Sequence, residues 1–212
     1  MKSKILICFA GIGGESELWN DVENDITHVE IDPKIAKVIS DRKPNRKVIV
    51  ADAYDFLLNN FQEYDFIWLS PTCQANSRMI RSGKNRKPRY PDLSLYEIKI
   101  FLDYNFKGDY VIENVVPYYK PVIEPTIKLG RHIFWSNFEI DDKFELNQPK
   151  GFITLGTVSA SEKLKNWLGI DYEGNIYYNG NHDPCQVLRN AVHPLLGEHV
   201  FNCYKNYKNA KQ

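Results

Sequence analysis

No apolar stretch of this chain approaches the length that a bilayer crossing needs. The opening MKSKILICFAGIGG has two lysines and then an apolar run, superficially like a signal peptide. That run is short, leads straight into Glu15-Ser16-Glu17 and offers no small-residue cleavage pattern, so a buried first strand is expected. Cysteine is scarce and scattered. Cys8, Cys73, Cys185 and Cys203 form no CxxC pair, which argues against a metal site and a disulfide framework and fits a reducing, cytoplasmic setting. Net charge is absent as well: 27 basic and 27 acidic residues cancel, so any nucleic-acid footprint must be local. Internal repeats and low-complexity tracts are also missing.

What is present fits α/β architecture. The 212 residues suffice for one well-packed domain with little left over. Short apolar runs alternate with amphipathic stretches, the pattern of βαβ units and a parallel sheet. Strands are expected at 4–10, 26–32, 47–52, 64–70 and 108–115, with strand character again at 132–140. Helices are expected in GGESELWNDV, in PKIAKVISDR with Pro33 at a permitted first-turn position, in DAYDFLLNNF, and in DLSLYEIKIFLDYN capped by Asp92 or Ser94. Residues 71–92 are polar and punctuated by Pro71, Gly83, Pro88 and Pro91, so they read as a long loop of the kind that usually carries function. The stretch 141–183 is irregular and reads as a small insertion. The segment 184–212 closes the chain with helix broken near Pro194 and a frayed lysine-rich tail after Tyr204.

Three signals carry chemistry. The first is FAGIGG, Phe9–Gly14, between the first strand and the helix expected after it. Glycines there allow a tight turn and close approach of a ligand, and helix N-terminal amides favour a carboxylate or phosphate. The spacing of Gly11, Gly13 and Gly14 is not the dinucleotide GxGxxG pattern. Glu30 ends the second strand, placed for a ribose diol, and Asp52 ends the third, placed for an adenine amino group. Taken singly, the glycines read as an ordinary tight turn and each acid more readily as a solvated or helix-capping carboxylate. In order at successive strand ends, they favour an adenosine-bearing cofactor.

The second signal is SPTCQANS, which raises Cys73 on a loop at the ligand-binding edge of the sheet. A lone cysteine is commonly a small buried hydrophobe, but Gln74, Asn76 and Ser77 beside it count against core packing. Arg78, Arg81, Lys84, Arg86, Lys87 and Arg89 follow with no acid among them, a local footprint suited to phosphate contact or simply a solvated loop. The third signal is ENV, where Glu113 closes an apolar strand. Partial desolvation there raises a carboxyl's pKa and suits it to proton donation; alone it reads as a helix or turn cap, but paired with Cys73 across adjacent strand ends the acid reading is favoured.

The ordered set FAGIGG, VEID, AD, PTCQ, ENV, GRHIF and NAVHP resembles the DNA cytosine-5 methyltransferase family, over residues 5 to about 200. The resemblance implies a Rossmann-like class I methyltransferase fold, a mostly parallel twisted sheet with helices on both faces. It implies S-adenosylmethionine as cofactor, with Phe9, Gly11, Gly13 and Gly14 lining its pocket, Glu30 on the ribose, Asp52 on the adenine, and Asn190 and Ala191 closing it. Cys73 would attack carbon 6 of a flipped cytosine, Glu113 would engage ring nitrogen 3, and Arg131 would hold the base or its phosphate. The implied partner is double-stranded DNA, contacted through the basic residues after Cys73, in DNA methylation such as restriction-modification.

Three positions depart from the family: Thr72 stands where proline is usual, Leu129 where an arginine is usual and Arg189 where a glycine is usual. Residues 1–140 form the expected catalytic domain, completed by 184–212, and only 141–183 remain for target recognition, so the basic loop or a second subunit of a homodimer would extend the readout. Alternatives are an RNA cytosine methyltransferase on the same scaffold and a catalytically inactive nucleic-acid-binding relative. A Rossmann-type oxidoreductase fits neither the glycine spacing nor the Cys73 and Glu113 pair.

Overall fold

The computed structural model describes residues 2–78, 90–152, 156–178 and 182–211. Strands β1 (Ser3–Cys8), β2 (Asn24–Glu30), β3 (Lys47–Val50), β4 (Phe66–Leu69), β5 (Asp109–Val115), β6 (Ile127–Leu129) and β7 (His132–Ser136) form one sheet ordered β3-β2-β1-β4-β5-β7-β6. Pairings from β3 to β5 are all parallel, and β7 runs antiparallel to both β5 and β6. The chain winds outward from β1 to β3, then returns to lay β4 on the other side of β1. That reversal opens a crevice beyond the carboxyl ends of β1 and β4, where ligands of doubly wound sheets bind. The fold is the α/β, Rossmann-like, mostly parallel sheet expected, with a late antiparallel hairpin, β6–β7, that the 132–140 reading only half foresaw.

Both sheet faces are covered, so the central strands read as continuous apolar runs rather than alternating ones. Ile5, Ile7, Phe66, Trp68, Val111 and Phe134 pack on one face against Leu196, Val200, Phe201 and Tyr204. Those four belong to helix α6 (Pro194–Ala210), the last element of the chain. Leu6, Cys8, Ile67, Leu69, Tyr110 and Ile112 pack on the other face against helices α2 (Ala53–Asn60) and α3 (Ser94–Asn105). α6 does not fray after Tyr204. It runs to Ala210 because Tyr204 stacks on Phe66 at 4.3 Å and Lys208 pairs with Asp109 at 3.1 Å.

Helix α1 (Pro33–Arg42) forms where the sequence placed it. Asp32 caps it, accepting from the amides of Lys34 (2.8 Å) and Ile35 (3.3 Å), and Pro33 needs no amide partner at the first position.

The helix expected in GGESELWNDV is absent; residues 11–23 are successive turns. Carbonyls that a helix would pair internally are instead met by cations from α1 and the turn after it. Arg42 reaches Ile12 O (2.5 Å), Lys43 reaches Glu17 O (2.9 Å), and Arg46 reaches Ser16 O (2.9 Å) and Trp19 O (3.1 Å). Carboxylates fix those cations in turn: Glu17 holds Arg42 and Lys43, and Asp21 holds Arg46. With its polar groups satisfied by side chains, the backbone has no need of a helix. The glycine turn therefore has no helix N-terminus behind it to attract an anion.

The irregular 141–183 segment contains a helix the sequence reading missed, α4 (Val158–Leu168). Its signals were present: Thr157 caps it, Gly169 ends it at φ 65, and Ala160, Leu164 and Leu168 repeat at helical spacing. With Phe152, Ile170 and Ile176 these residues pack on Ile12, on Ile35 and Val38 of α1, and on Val187 and Leu188 of the short helix α5 (Gln186–Asn190).

Candidate functional site

The glycine turn begins at an unusual backbone angle. Phe9 sits at φ 59, a left-handed conformation that costs a bulky residue energy and tends to occur at ligand sites. Gly11 and Gly13 follow at φ 53 and 74. A Cβ on Gly11 would meet nothing within 4 Å, so the turn presents bare backbone to open space. Gly14 is the opposite: a Cβ there would lie 2.3 Å from Val192 O and 3.4 Å from the Ala191 side chain. That close approach brings Asn190 and Ala191, from the far end of the chain, to the turn.

Glu30 anchors the turn from the neighbouring strand end. Its carboxylate accepts from Gly11 N at 2.8 Å and Asp32 N at 3.0 Å. Burial pushes the Glu30 carboxyl up, and those two amides pull against it. Each oxygen keeps a lone pair for a further donor. Ile31, directly after it, is 66% exposed, and Val50 on the adjacent strand is 54% exposed. Asp52 has a structural duty: it caps α2, its Oδ1 accepting from Tyr54 N (2.8 Å) and Asp55 N (3.2 Å). It also stands beside Glu30, since Ala51 N donates to Glu30 O.

Cys73 lies across the crevice, half-buried on the loop after β4. Its thiol is pushed up by burial and by Glu113, while Arg131 pulls it down. Glu113 is buried and receives His132 Nδ1 at 2.5 Å, across the antiparallel pairing of β5 and β7. Burial lowers Arg131, and Glu113 and Cys73 both act to hold its charge. Its Nη2 donates to Arg189 O at 2.8 Å, its guanidinium lies 4.7 Å from the Phe152 ring centre, and its Nε is buried with no hydrogen-bond partner among the described residues. The structure thus brings Cys73, Glu113 and Arg131 into mutual electrostatic reach.

Two of the three positions that depart from the resembled pattern have local explanations. Leu129 fills the core beside Ile5 and Phe134, so no polar group is left wanting there. The Arg189 side chain pairs with Asp183, and its carbonyl serves Arg131. Of the basic residues after Cys73, Arg78 is exposed with Nε donating to Pro117 O at 3.4 Å. Arg81, Lys84, Arg86, Lys87 and Arg89 lie outside the described residues.

Sequence reasoning missed three residues of this site. His132 had only its place beside Arg131 to mark it. Tyr178 receives a hydrogen bond from Asn190 Nδ2 at 3.0 Å, and burial pushes its phenol up, with smaller pushes from Glu30 and Cys73, so it lies within electrostatic reach of both. Glu15 is 3% exposed with Oε1 unpartnered among the described residues, and burial pushes its carboxyl up to about 8 against the pull of its own amide and Arg46. A raised acid stabilises the fold fully below its unfolded pKa, and that stability is lost as pH rises toward 8. Glu15→Gln is therefore expected to match the parent in denaturant melts near pH 4.5. By pH 8.5 it should exceed the parent, by an amount on the order of a few kcal/mol.

No family model and no curated protein matches the chain. Among solved structures it is similar to an S-adenosylmethionine-dependent methyltransferase of Agrobacterium tumefaciens, with 16% identity over 56% of this chain and 40% of that one (TM-score 0.41). A mutant DNMT2 of Spodoptera frugiperda shows 26% identity over 54% of this chain and 36% of that one (TM-score 0.38). A hypothetical protein of Thermus thermophilus shows 16% identity over 64% of this chain and 74% of that one, with TM-score 0.44. The chain thus spans less than half the length of the first two. Likenesses this loose leave the activity to be argued from the site. Among the described residues, no helix is long and apolar enough to cross a membrane, and no cluster of histidine, cysteine and carboxylate side chains could hold a metal ion.

Proposed function

We propose that this protein transfers a methyl group from S-adenosylmethionine to carbon 5 of cytosine in double-stranded DNA, with Cys73 as covalent nucleophile. The observation that carries the reading is the meeting of Cys73, Glu113 and Arg131 beyond β4, β5 and the β6–β7 turn, across the crevice from Gly11 and Glu30. The residues present fit the cofactor. Gly11 offers open backbone, Glu30 is a fixed acceptor for a ribose diol, and exposed Ile31 and Val50 offer apolar surface to an adenine. When bound, the cofactor supplies the methyl group.

The chain's own residues do the rest. Carbon 5 of cytosine becomes nucleophilic only after the Cys73 sulfur bonds to carbon 6, which leaves an enamine. Glu113, held through Oε1 by His132, has its other oxygen to engage ring nitrogen 3 as charge develops there. Arg131 offsets the negative charge that Glu113 and the Cys73 thiolate place in a desolvated pocket. After methylation, loss of the carbon 5 proton and elimination of Cys73 restore the aromatic base. A stacked base cannot reach this crevice, so it must be flipped out, and Arg78 with the basic residues after it suits the flanking phosphates.

The test is methyl transfer from labelled cofactor to duplex DNA and to tRNA, together with trapping on duplex DNA containing 5-fluorocytosine. Expected are label in DNA and a covalent complex. Label in tRNA alone would transfer the reading to RNA. Cofactor binding with neither label nor adduct on any methylatable substrate would make the protein a binding module. Glu30→Ala is expected to weaken S-adenosylmethionine binding at least tenfold by calorimetry, because two amides and the ribose lose their common acceptor.

A further inference from the structure

The loop carrying Cys73 is fastened at a residue that touches neither cofactor nor substrate in the proposed reaction. Cys73 O accepts from the amides of Asn76 (3.0 Å) and Ser77 (2.8 Å), closing a tight turn around the nucleophile. Asn76 is 5% exposed, yet both ends of its amide are satisfied by one residue: Nδ2 donates to Asp92 O (2.9 Å) and Oδ1 accepts from Asp92 N (3.0 Å). Asn76 O also accepts from Tyr118 N at 3.0 Å. On the other side of Cys73, Asn114 Nδ2 donates to Pro71 O at 2.9 Å.

The turn is thus tied to β5 through Asn114, to the segment after β5 through Tyr118, and to the approach to α3 through Asp92. The Asn76 side chain makes the tie to Asp92 and its carbonyl the tie to Tyr118, beside the bridge of Ser77 to Pro117 and the bond from Arg78 Nε to Pro117 O. Its reciprocal pair with Asp92 also joins the chain on either side of the basic residues 78–89. The pair therefore fixes the Cys73 turn to the chain that leads into α3.

We propose that Asn76 is a positioning residue, clasping Asp92 so that Cys73 stays aimed at the base independently of the basic segment that follows it. The proposal rests on the reading of Cys73 as a nucleophile for its catalytic consequence, but the clasp itself can be tested without that reading.

The experiment compares Asn76→Ala and Asn76→Asp with the parent 212-residue chain in two assays. One follows adduct formation with 5-fluorocytosine duplex. The other follows iodoacetamide alkylation of Cys73, by peptide mass, on folded protein without ligand. A loosened turn exposes the half-buried thiol while losing its aim, so the two rates move in opposite directions. For Asn76→Ala, adduct formation is expected to slow at least tenfold while alkylation accelerates severalfold and affinity for S-adenosylmethionine stays within twofold. Asn76→Asp keeps the acceptor for Asp92 N and loses the donor to Asp92 O, so it falls between. If Asn76→Ala does not fold, Asn76→Asp alone must show the opposed changes. Unchanged rates with a lowered melting temperature, or both rates falling together, would overturn the proposal. If the parent traps no duplex at all, the nucleophile reading fails, and unchanged alkylation in both variants would still overturn the clasp.

Discussion

Cys73→Ser is expected to abolish the covalent complex with 5-fluorocytosine DNA and to lower methyl transfer by at least about 1000-fold, as loss of a covalent nucleophile does. The substitution is nearly isosteric at a half-buried site, so the fold and cofactor affinity should be retained. What changes is the atom: a hydroxyl is far harder to deprotonate than a thiol, and no hydrogen-bonded base stands at position 73 among the described residues. The electrostatics add a second expectation for the parent protein. Burial and then Glu113 push the thiol above its ordinary value, with Arg131 opposing, so the resting group is protonated at neutral pH. Below that pKa the thiolate fraction rises about tenfold per pH unit. Single-turnover adduct formation should therefore climb steadily from pH 7 to 9 without a plateau. A rate that is flat across this range would mean that the thiolate is already formed, and would contradict the pocket described. Full activity in Cys73→Ser would dismiss covalent catalysis outright.

Gly197→Ala should be the most damaging glycine-to-alanine exchange among the described residues. Exchanging glycine for alanine within a helix ordinarily stabilises it by about 1 kcal/mol. Here the added Cβ would stand 1.9 Å from Glu15 O and 2.5 Å from Glu15 C, backbone atoms that cannot rotate away. Either α6 lifts from the sheet, loosening Phe201 and Tyr204, or the turn after Gly14 shifts. Overpacking of this kind costs about 3 kcal/mol, so the clash outweighs the helical gain. The expected result is a lowered urea midpoint together with weakened S-adenosylmethionine binding, because Gly11, Gly13 and Gly14 ride on the displaced turn. Gly14→Ala should show the same pairing of effects through Val192 O, 2.3 Å from its Cβ. A stable Gly197→Ala protein with unaltered affinity would mean that the turn is not held by α6.

Both predictions concern places where distant parts of the sequence meet, which is also where sequence reasoning ran short. PKIAKVISDR was legible as α1 because its cap, its Pro33 and its apolar spacing all lie within about ten residues. GGESELWNDV carries a comparable local pattern and is not helical, because Arg42, Lys43 and Arg46 take its carbonyls from about thirty residues away. The tail after Tyr204 looked solvated from its lysines, yet Asp109 and Phe66, from the sheet, extend the helix through it.

The sequence alone determined the succession of buried strands, and with it the placing of Phe9–Gly14, Glu30, Asp52, Cys73 and Glu113 at strand carboxyl ends. That information is local: an apolar run buries itself, and the residues just past its end fall at the edge of the sheet. Only the tertiary structure decided what those residues touch. It set β7 antiparallel beside β5, so that His132 meets Glu113. It turned Asp52 into a helix cap, brought Arg131 toward Cys73, and fastened the Cys73 turn through Asn76 and Asp92. These are pairings between residues far apart in the chain, selected by which unsatisfied donors and acceptors packing brings face to face. No periodicity in the sequence records them.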